Sequence, residues 1–453
     1  MLIDKIALKL LRQNMKKIYF LAVTLLSLML SSCGKGGQGE LVGAFNKKFK
    51  NTAIPLGMVY VPGGRNLLGM TDEDITFYQG KQSKMVSMSP FYMDQTEITN
   101  AEYRQFVNWV RDSVAITKGN IDDYFIKPKA NPTAGPAKFK NIDWKKVGNG
   151  SNLWRNKKPD VQTKLKTMYV NDNLSNFTQG KNDKDLDIKL LRYAFVEKNM
   201  DRAVENAALA ERQRIDDYDI YTDNPTAGKI NEFPSIMVYP DTLVWRKDYT
   251  YEYNDPMVEG YFNHPSYDKY PVVGVTWDQA RAFSNWRTQF YENVARQRKL
   301  PANSRLKYDL PTESEFEYAA RGGRTQTKYP WGGPYIMNAR GCLQANFKVG
   351  RGNYADDGAL YTVEAKAYLP NDYGLYNMAG NVAEWTLNSY NTSLPEDRNP
   401  IFRKGKRKTV KGGSWKDIGF FLQNSVAQYE YQNVPRSYIG FRCVSHFAGN
   451  SLM

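Results

Sequence analysis

An α+β fold of short strands, many loops and one long insertion is what this sequence predicts, and three observations carry the expectation. Apolar residues alternate in short runs that break at glycine and proline, first in "LGMVYVPGGRNLLGM" at residues 56–70, the period-two pattern of strands meeting at a turn. A helix start shows a threonine followed three residues later by an acid, Thr99 and Glu102, which is the reciprocal arrangement of a capping box. Aromatic side chains are abundant, with 31 Tyr, 21 Phe and 9 Trp beside 34 Gly in 453 residues. Rings and tight turns therefore do much of the work of filling the core.

In chain order the first element is an export signal. The stretch "MKKIYFLAVTLLSLMLSSC" has a basic head at Lys16 and Lys17, an apolar core from Ile18 to Leu30, and small residues Ser31 and Ser32 before Cys33. Such a run is too short to span a bilayer, and its ending is what a lipoprotein signal peptidase accepts. Residues 1–32 are expected to be removed and Cys33 to be lipidated. The fourteen residues ahead of Met15 displace the basic head, which points to Met15 as the start of translation. Residues 33–55, opening "CGKGGQGE", read as a flexible tether. A mean hydropathy of −0.61 leaves no further span to expect in the rest of the chain.

The folded body follows in three textures. Residues 56–110 predict a β-hairpin around Pro62, Gly63 and Gly64, then a strand and a helix with Tyr103, Phe106, Val107 and Val110 as its apolar stripe. Residues 111–260 are rich in Pro, Lys, Asn and Asp connections and read as an insertion. A helix is expected there over residues 187–215, on the spacing of Met200, Val204 and Ala208. Trp154, Tyr193 and Trp245 are expected to stand in solvent as interface anchors, with packing of the insertion on its own body as the alternative. The pentapeptide "NPTAG" recurs at Asn131 and Asn224, too short a repeat to mark a repeat architecture. From Tyr261 the pattern tightens. "YPVVGVTWDQARAFSNW" is a strand running into an amphipathic helix, and "YDLPTESEFEYAARGG" is a strand, a Pro-Thr helix start and a helix closed by paired glycines.

Composition removes several chemistries. The net charge is +15, and because five Lys or Arg and one Asp precede Cys33, the chain from Cys33 onward carries +11. Export argues against nucleic acid as the partner, and the basic run Arg403 to Lys411 reads as a solvated loop or as a patch for an acidic partner. His264 and His446 are the only histidines and lie in no ligand-spaced cluster, so imidazole-held metal is not expected. Lipidation consumes Cys33, and the remaining Cys342 and Cys443 either pair as one disulfide or stay as buried thiols. Glu313, Ser314, Glu315 and Glu317 read as a solvated helix face rather than an acid–base pair. The glycines of "GKGGQG" at residues 34–39 precede no lysine-serine and no helix, so they hold no phosphate.

The blocks "YPVVGVTW", "LPTESEFEYAARGG", "YPWGG", "NDYGLYNMAGNVAEW", "KGGSW" and "IGFRCV" stand in one order over residues 261–447, after the start at residues 56–110. Taken together they resemble the formylglycine-generating enzyme (sulfatase-modifying factor) family. The resemblance implies that family's loop-rich α+β fold, related to C-type lectins, interrupted here by residues 111–260. It implies two copper-holding redox cysteines at the third and eighth positions after the serine of "GGSW". Those positions are Asp417 and Leu422. Neither is a thiolate, the soft ligand and redox group that the chemistry needs, so no catalytic residue is assigned and no catalytic cofactor is expected.

The resemblance also implies structural calcium. One set would be the Asn346 side chain, the Phe347 carbonyl, Asp357 and the Ala359 carbonyl. A second would be Gly380, Val382 and Glu384, all hard oxygen donors, with loop capping by the same side chains as the alternative. Within the family, the lipobox, the "GMVYVPGGRNLLG" start, the "YFNHPSYDKYPVVGVTW" block and the insertion are similar to lipoproteins of gliding motility and type IX secretion. That likeness implies a lipid-anchored periplasmic ring under the outer membrane, self-associating and bound to a GldN (PorN)-like protein. Two other readings stay open: an enzyme with a displaced active site, and a carbohydrate-binding surface protein that stacks sugars on Trp and Tyr.

Overall fold

The computed structural model describes residues 54–69, 83–126, 141–148, 151–169, 186–198, 218–221, 235–248, 255–299, 306–350, 359–390 and 406–446. Residues 1–53, which hold the expected signal, Cys33 and all but the last two residues of the expected tether, lie outside the described residues, as do Asp357, Met200, Val204, Ala208 and the first part of the basic run, residues 403–405. The α+β expectation holds: helices and short strands are mixed around one framework running from Ile54 onward.

Two four-stranded sheets carry the frame. In the first the order is β1 (Met58–Val61), β4 (Phe91–Asp94), β14 (Val444–His446) and β9 (Tyr308–Asp309), all antiparallel neighbours. The end of the family-like region is thus hydrogen-bonded between its beginning and its middle, with Val444 opposite Met93 on one side and Asp309 on the other. In the second the order is β12 (Gln428–Tyr431), β11 (Arg407–Lys411), β10 (Ala383–Ser389) and β13 (Ile439–Gly440), the last pair parallel. β2 (Gly64–Leu68) and β3 (Lys84–Met88) form a separate antiparallel ribbon.

The hairpin expected around Gly63 does not form. β1 pairs with β4 and β2 with β3, so the Pro-Gly-Gly turn sends the chain from one sheet to another. A Cβ on Gly63 would lie 2.9 Å from the Met88 carbonyl oxygen; the turn is pressed against another backbone, which is what the glycine permits.

The helices follow their caps. α1 (Asn100–Lys118) starts at Thr99 with the capping box complete to Glu102, and its stripe is buried. Tyr103 stacks on Phe283 with ring centroids 5.6 Å apart, and Phe106 meets Trp286 at 5.3 Å. Those partners sit on α4 (Trp277–Gln297), whose box is Thr276 with Gln279, while α5 (Glu313–Ala320) uses Thr312 with Glu315.

The insertion packs into the same core instead of standing off it. Its helix α2 (Pro159–Lys166) buries Val161 and Leu165, and Trp144 stacks on Trp109 of α1 at 4.7 Å. Residues 192–198 are not helical. β5 (Arg192–Tyr193) pairs with β8 (Ile236–Met237), and β6 (Phe195–Lys198) with β7 (Tyr218–Tyr221). Tyr193 is buried against Phe106 of α1, with Phe195 buried beside it, so tertiary pairing makes this stretch strand. Met200, Val204 and Ala208, whose spacing suggested the helix, lie outside the described residues. Nor are the expected anchors in solvent. Trp245, on the one-turn helix α3 (Val244–Lys247), and Tyr193 are buried; Trp154 is half-buried, its indole N–H donating to Asp112 at 2.7 Å.

Candidate functional site

The turn after β11 is where the sequence leads one to look for redox chemistry. Gly412 and Gly413 hold φ of +89° and +66°, and a Cβ on Gly413 would approach the Phe421 carbonyl oxygen to 2.8 Å. Only glycine turns the chain that tightly there. Ser414 then donates from its backbone N–H and its hydroxyl to Asp417 Oδ2, at 2.9 and 2.6 Å, and Gln428 Nε2 donates to Oδ1 at 3.1 Å. Both carboxylate oxygens are spent on closing the turn. Leu422 has no exposed surface and packs among Tyr329, Ala345, Phe347 and Ala379. The first position has become a loop staple and the second a piece of core.

The cysteines do not replace them. Cys443 is fully buried, its sulfur 3.3 Å from the Ser284 hydroxyl, and burial pushes its thiol up to about 12. It therefore stays protonated and inert near neutral pH. Cys342 is exposed in the turn after Asn338, and both thiols are free. The Cys342–Cys443 disulfide does not form in this structure: one partner is at the surface and the other in the core. Two buried thiols were the alternative, and Cys342 departs from that as well.

The chemistry that the sequence did not signal is a buried charge network behind the turn. Arg442 donates to both oxygens of Glu384, at 2.7 and 2.6 Å, and to the carbonyls of Asp94 and Tyr376. Glu97, also without exposed surface, accepts from Asn381 Nδ2 at 2.9 Å and Asn377 Nδ2 at 3.3 Å. Burial pushes the Glu97 carboxyl up to about 8 despite the attraction of Arg442, because the charge of Glu384 opposes it too. Burial also raises Glu384, against the pull of Arg442. One guanidinium thus faces two carboxylates, and the one without its own cation keeps its proton. Glu97 sits in "QTEITN", between β4 and α1, and Arg442 in the quoted "IGFRCV", between β13 and β14; each is a single charge in a connection, with no local signal of the other.

The acids of α5 are buried as well, which corrects the expectation of a solvated face. Glu317 accepts from Arg321 at 2.7 Å and from the Gly69 N–H at 3.1 Å, with the Lys411 ammonium 3.5 Å away. Glu315 completes the helix cap and meets His446 at 2.6 Å. Their partners make them struts of the frame.

Among the described residues no three His, Cys, Asp or Glu side chains gather as a metal set. The second calcium set does not fit a cation, since the Glu384 carboxylate is bidentately held by a buried guanidinium that a cation would have to displace. In the first set, Asn346 is buried and turns its amide nitrogen to the Tyr361 carbonyl at 2.6 Å. That leaves its side-chain oxygen directed elsewhere. Phe347 and Ala359 are described; Asp357 is not.

A family model described as the sulfatase-modifying factor enzyme 1-like domain matches residues 44–447. The chain is 34% identical over 183 residues to the inactive C-alpha-formylglycine-generating enzyme 2 of Bos taurus, covering 39% of this chain and 50% of that protein. It is 32% identical over 189 residues to the formylglycine-generating enzyme of Thermomonospora curvata, covering 39% and 55%. The chain thus spans about half the length of these curated relatives. Among solved structures, PvdO from Pseudomonas aeruginosa aligns with a TM-score of 0.42 at 14% identity, over 86% of this chain and 94% of that one.

Proposed function

The chain belongs to the sulfatase-modifying factor enzyme 1-like family, and from that premise we propose that it is a non-enzymatic member: an outer-membrane lipoprotein, held by Cys33 and facing the periplasm. In this reading it resembles GldK (PorK), assembling into a ring or scaffold of the type IX secretion and gliding-motility machinery with a GldN (PorN)-like partner. The observation that carries the non-enzymatic part is the fate of the two redox positions. Asp417 staples a turn and Leu422 fills the core, so nothing there binds Cu(I) or exchanges electrons. The motility and secretion part is supported by the lipobox and by the quoted blocks around the insertion.

The test is direct. Purified protein incubated with copper, oxygen and a cysteine-containing sulfatase peptide is expected to yield no aldehyde by mass spectrometry; stoichiometric conversion overturns the reading. Cross-linking in membranes is expected to recover a single periplasmic partner together with self-contacts. Identity of that partner separates this reading from the related gliding lipoprotein GldJ.

We further propose one structural calcium, held by Asn346, the Phe347 carbonyl, Asp357 and the Ala359 carbonyl. A ligand bound only by the native state at a hundred times its Kd stabilises by about 2.7 kcal/mol. Chelator is therefore expected to lower the melting temperature, and Asn346→Ala to abolish that sensitivity. Identical melting with chelator and with added calcium would remove this site.

A further inference from the structure

A cleft of about 280 Å³ opens beside the stapled turn, between the insertion and the frame. Its floor is the buried pair Phe347 and Trp415, and Leu360, 56% exposed, stands at its edge. Lys348 and Lys416 flank it, both exposed. Their backbones are fixed by the turn itself, since the Lys348 N–H donates to the Asp417 carbonyl at 2.9 Å and the Lys416 N–H to the Ser414 hydroxyl at 3.4 Å. Asp248 also lines the cleft, but its oxygens accept from the Ser437 N–H and hydroxyl at 2.8 and 2.7 Å and from Arg436 at 3.4 Å. Arg436 is shared with Glu430, which its Nε meets at 2.6 Å, so Asp248 keeps part of its charge. Lys416 sets its ammonium over the Tyr438 ring, 4.6 Å from the centroid. The two lysines still outnumber the one acid lining the cleft.

From this geometry we infer that the cleft is a docking site for one bulky apolar side chain carried in an acidic segment of a protein partner. The volume sits at the lower end of the range of about 300–1,000 Å³ common for small-molecule ligands and is enough for a single large side chain. Leu360 extends the apolar surface beyond the cavity, which helps an occupant that continues past it. The flanking lysines complement carboxylates on either side of the anchor and steer an acidic segment into place. The inference rests on the partner-binding reading above and names the surface and the partner chemistry.

The probe is a fluorescein-labelled pentapeptide with a central phenylalanine flanked by glutamates, followed by fluorescence anisotropy. Wild-type protein is expected to bind it, with affinity falling as salt rises. The double variant Lys348→Glu/Lys416→Glu and the single variant Leu360→Ser, all surface changes, are each expected to weaken binding about tenfold or more, or 1.4 kcal/mol. Glutamine-flanked and alanine-centred peptides should bind as weakly as the variants do. Absence of wild-type binding at millimolar peptide overturns the inference, as does equal binding by wild type and charge-reversed protein. Phenylacetate competing as well as the peptide also overturns it, by making the occupant a small carboxylate. Aldehyde formation in the sulfatase-peptide assay would sink the non-enzymatic reading while leaving these binding outcomes to decide the cleft separately.

Discussion

Glu97 contributes a pH response to this fold, alongside Glu384 and Glu102, whose carboxyls burial also raises. Its carboxyl, near 4.3 in an unfolded chain, is pushed up to about 8 in the native state. Arg442 and Glu384 are the charged groups that face it, with Asn377 and Asn381 supplying the hydrogen bonds. Between those two values the native state holds a proton that the unfolded state has released, so stability falls as pH rises, by on the order of 1 kcal/mol per unit. The contribution is complete at pH 4 and lost above pH 8. Glu97→Gln keeps the shape and removes this titration, and denaturant melts from pH 5 to 8.5 should fall less steeply with pH in that variant than in wild type. A wild type whose stability climbs through this window would show that Glu97 is ionised and otherwise compensated. None of this is legible in "QTEITN", because the charge balance of the pocket depends on Arg442, 345 residues further along.

At the scale of elements, what the sequence makes readable is what a short window contains. The capping box at Thr99 is a three-residue spacing, and it forms as expected with its apolar stripe inside. The β-hairpin fails because β1 finds its partner in β4, beyond the β2–β3 ribbon. Over its described part, residues 192–198, the helix expected from residue 187 gives way to strand, because Tyr193 is claimed by Phe106 and by β8. The insertion is likewise a wall of the core, and α3 shows it most plainly. Trp245 meets Tyr261 at 4.9 Å, Tyr361 at 5.9 Å and Trp415 at 6.3 Å. Truncating a buried ring of that size costs about 3–5 kcal/mol, so Trp245→Ala is expected to lower the unfolding free energy by that much. Because Trp415 loses its stacking partner, the same variant should also loosen the stapled turn, read as faster amide exchange at Ser414 to Asp417. A loss below about 1 kcal/mol would mean that the insertion is peripheral after all.

Across the whole molecule, the framework that holds these sites begins at Ile54, and its first strand is locked to its last through β4 and β14. Ile54 to His446 closes on itself through that sheet, so its stability should not depend on what Cys33 carries. In the proposed reading Cys33 has a different task, attachment, and a single acyl chain alone gives only marginal, reversible binding, whereas several chains hold a protein on a membrane. Cys33→Ala is accordingly expected to move the protein from the membrane fraction to the soluble periplasmic fraction while leaving its melting temperature within about 1 °C of wild type, a shift equivalent to a few tenths of a kcal/mol at most. Retention of the variant in the membrane, together with an unacylated N-terminal peptide from the wild type, would locate attachment elsewhere. A variant that is released but melts several degrees lower would mean that the residues after Cys33 contribute to the body they are here taken only to tether.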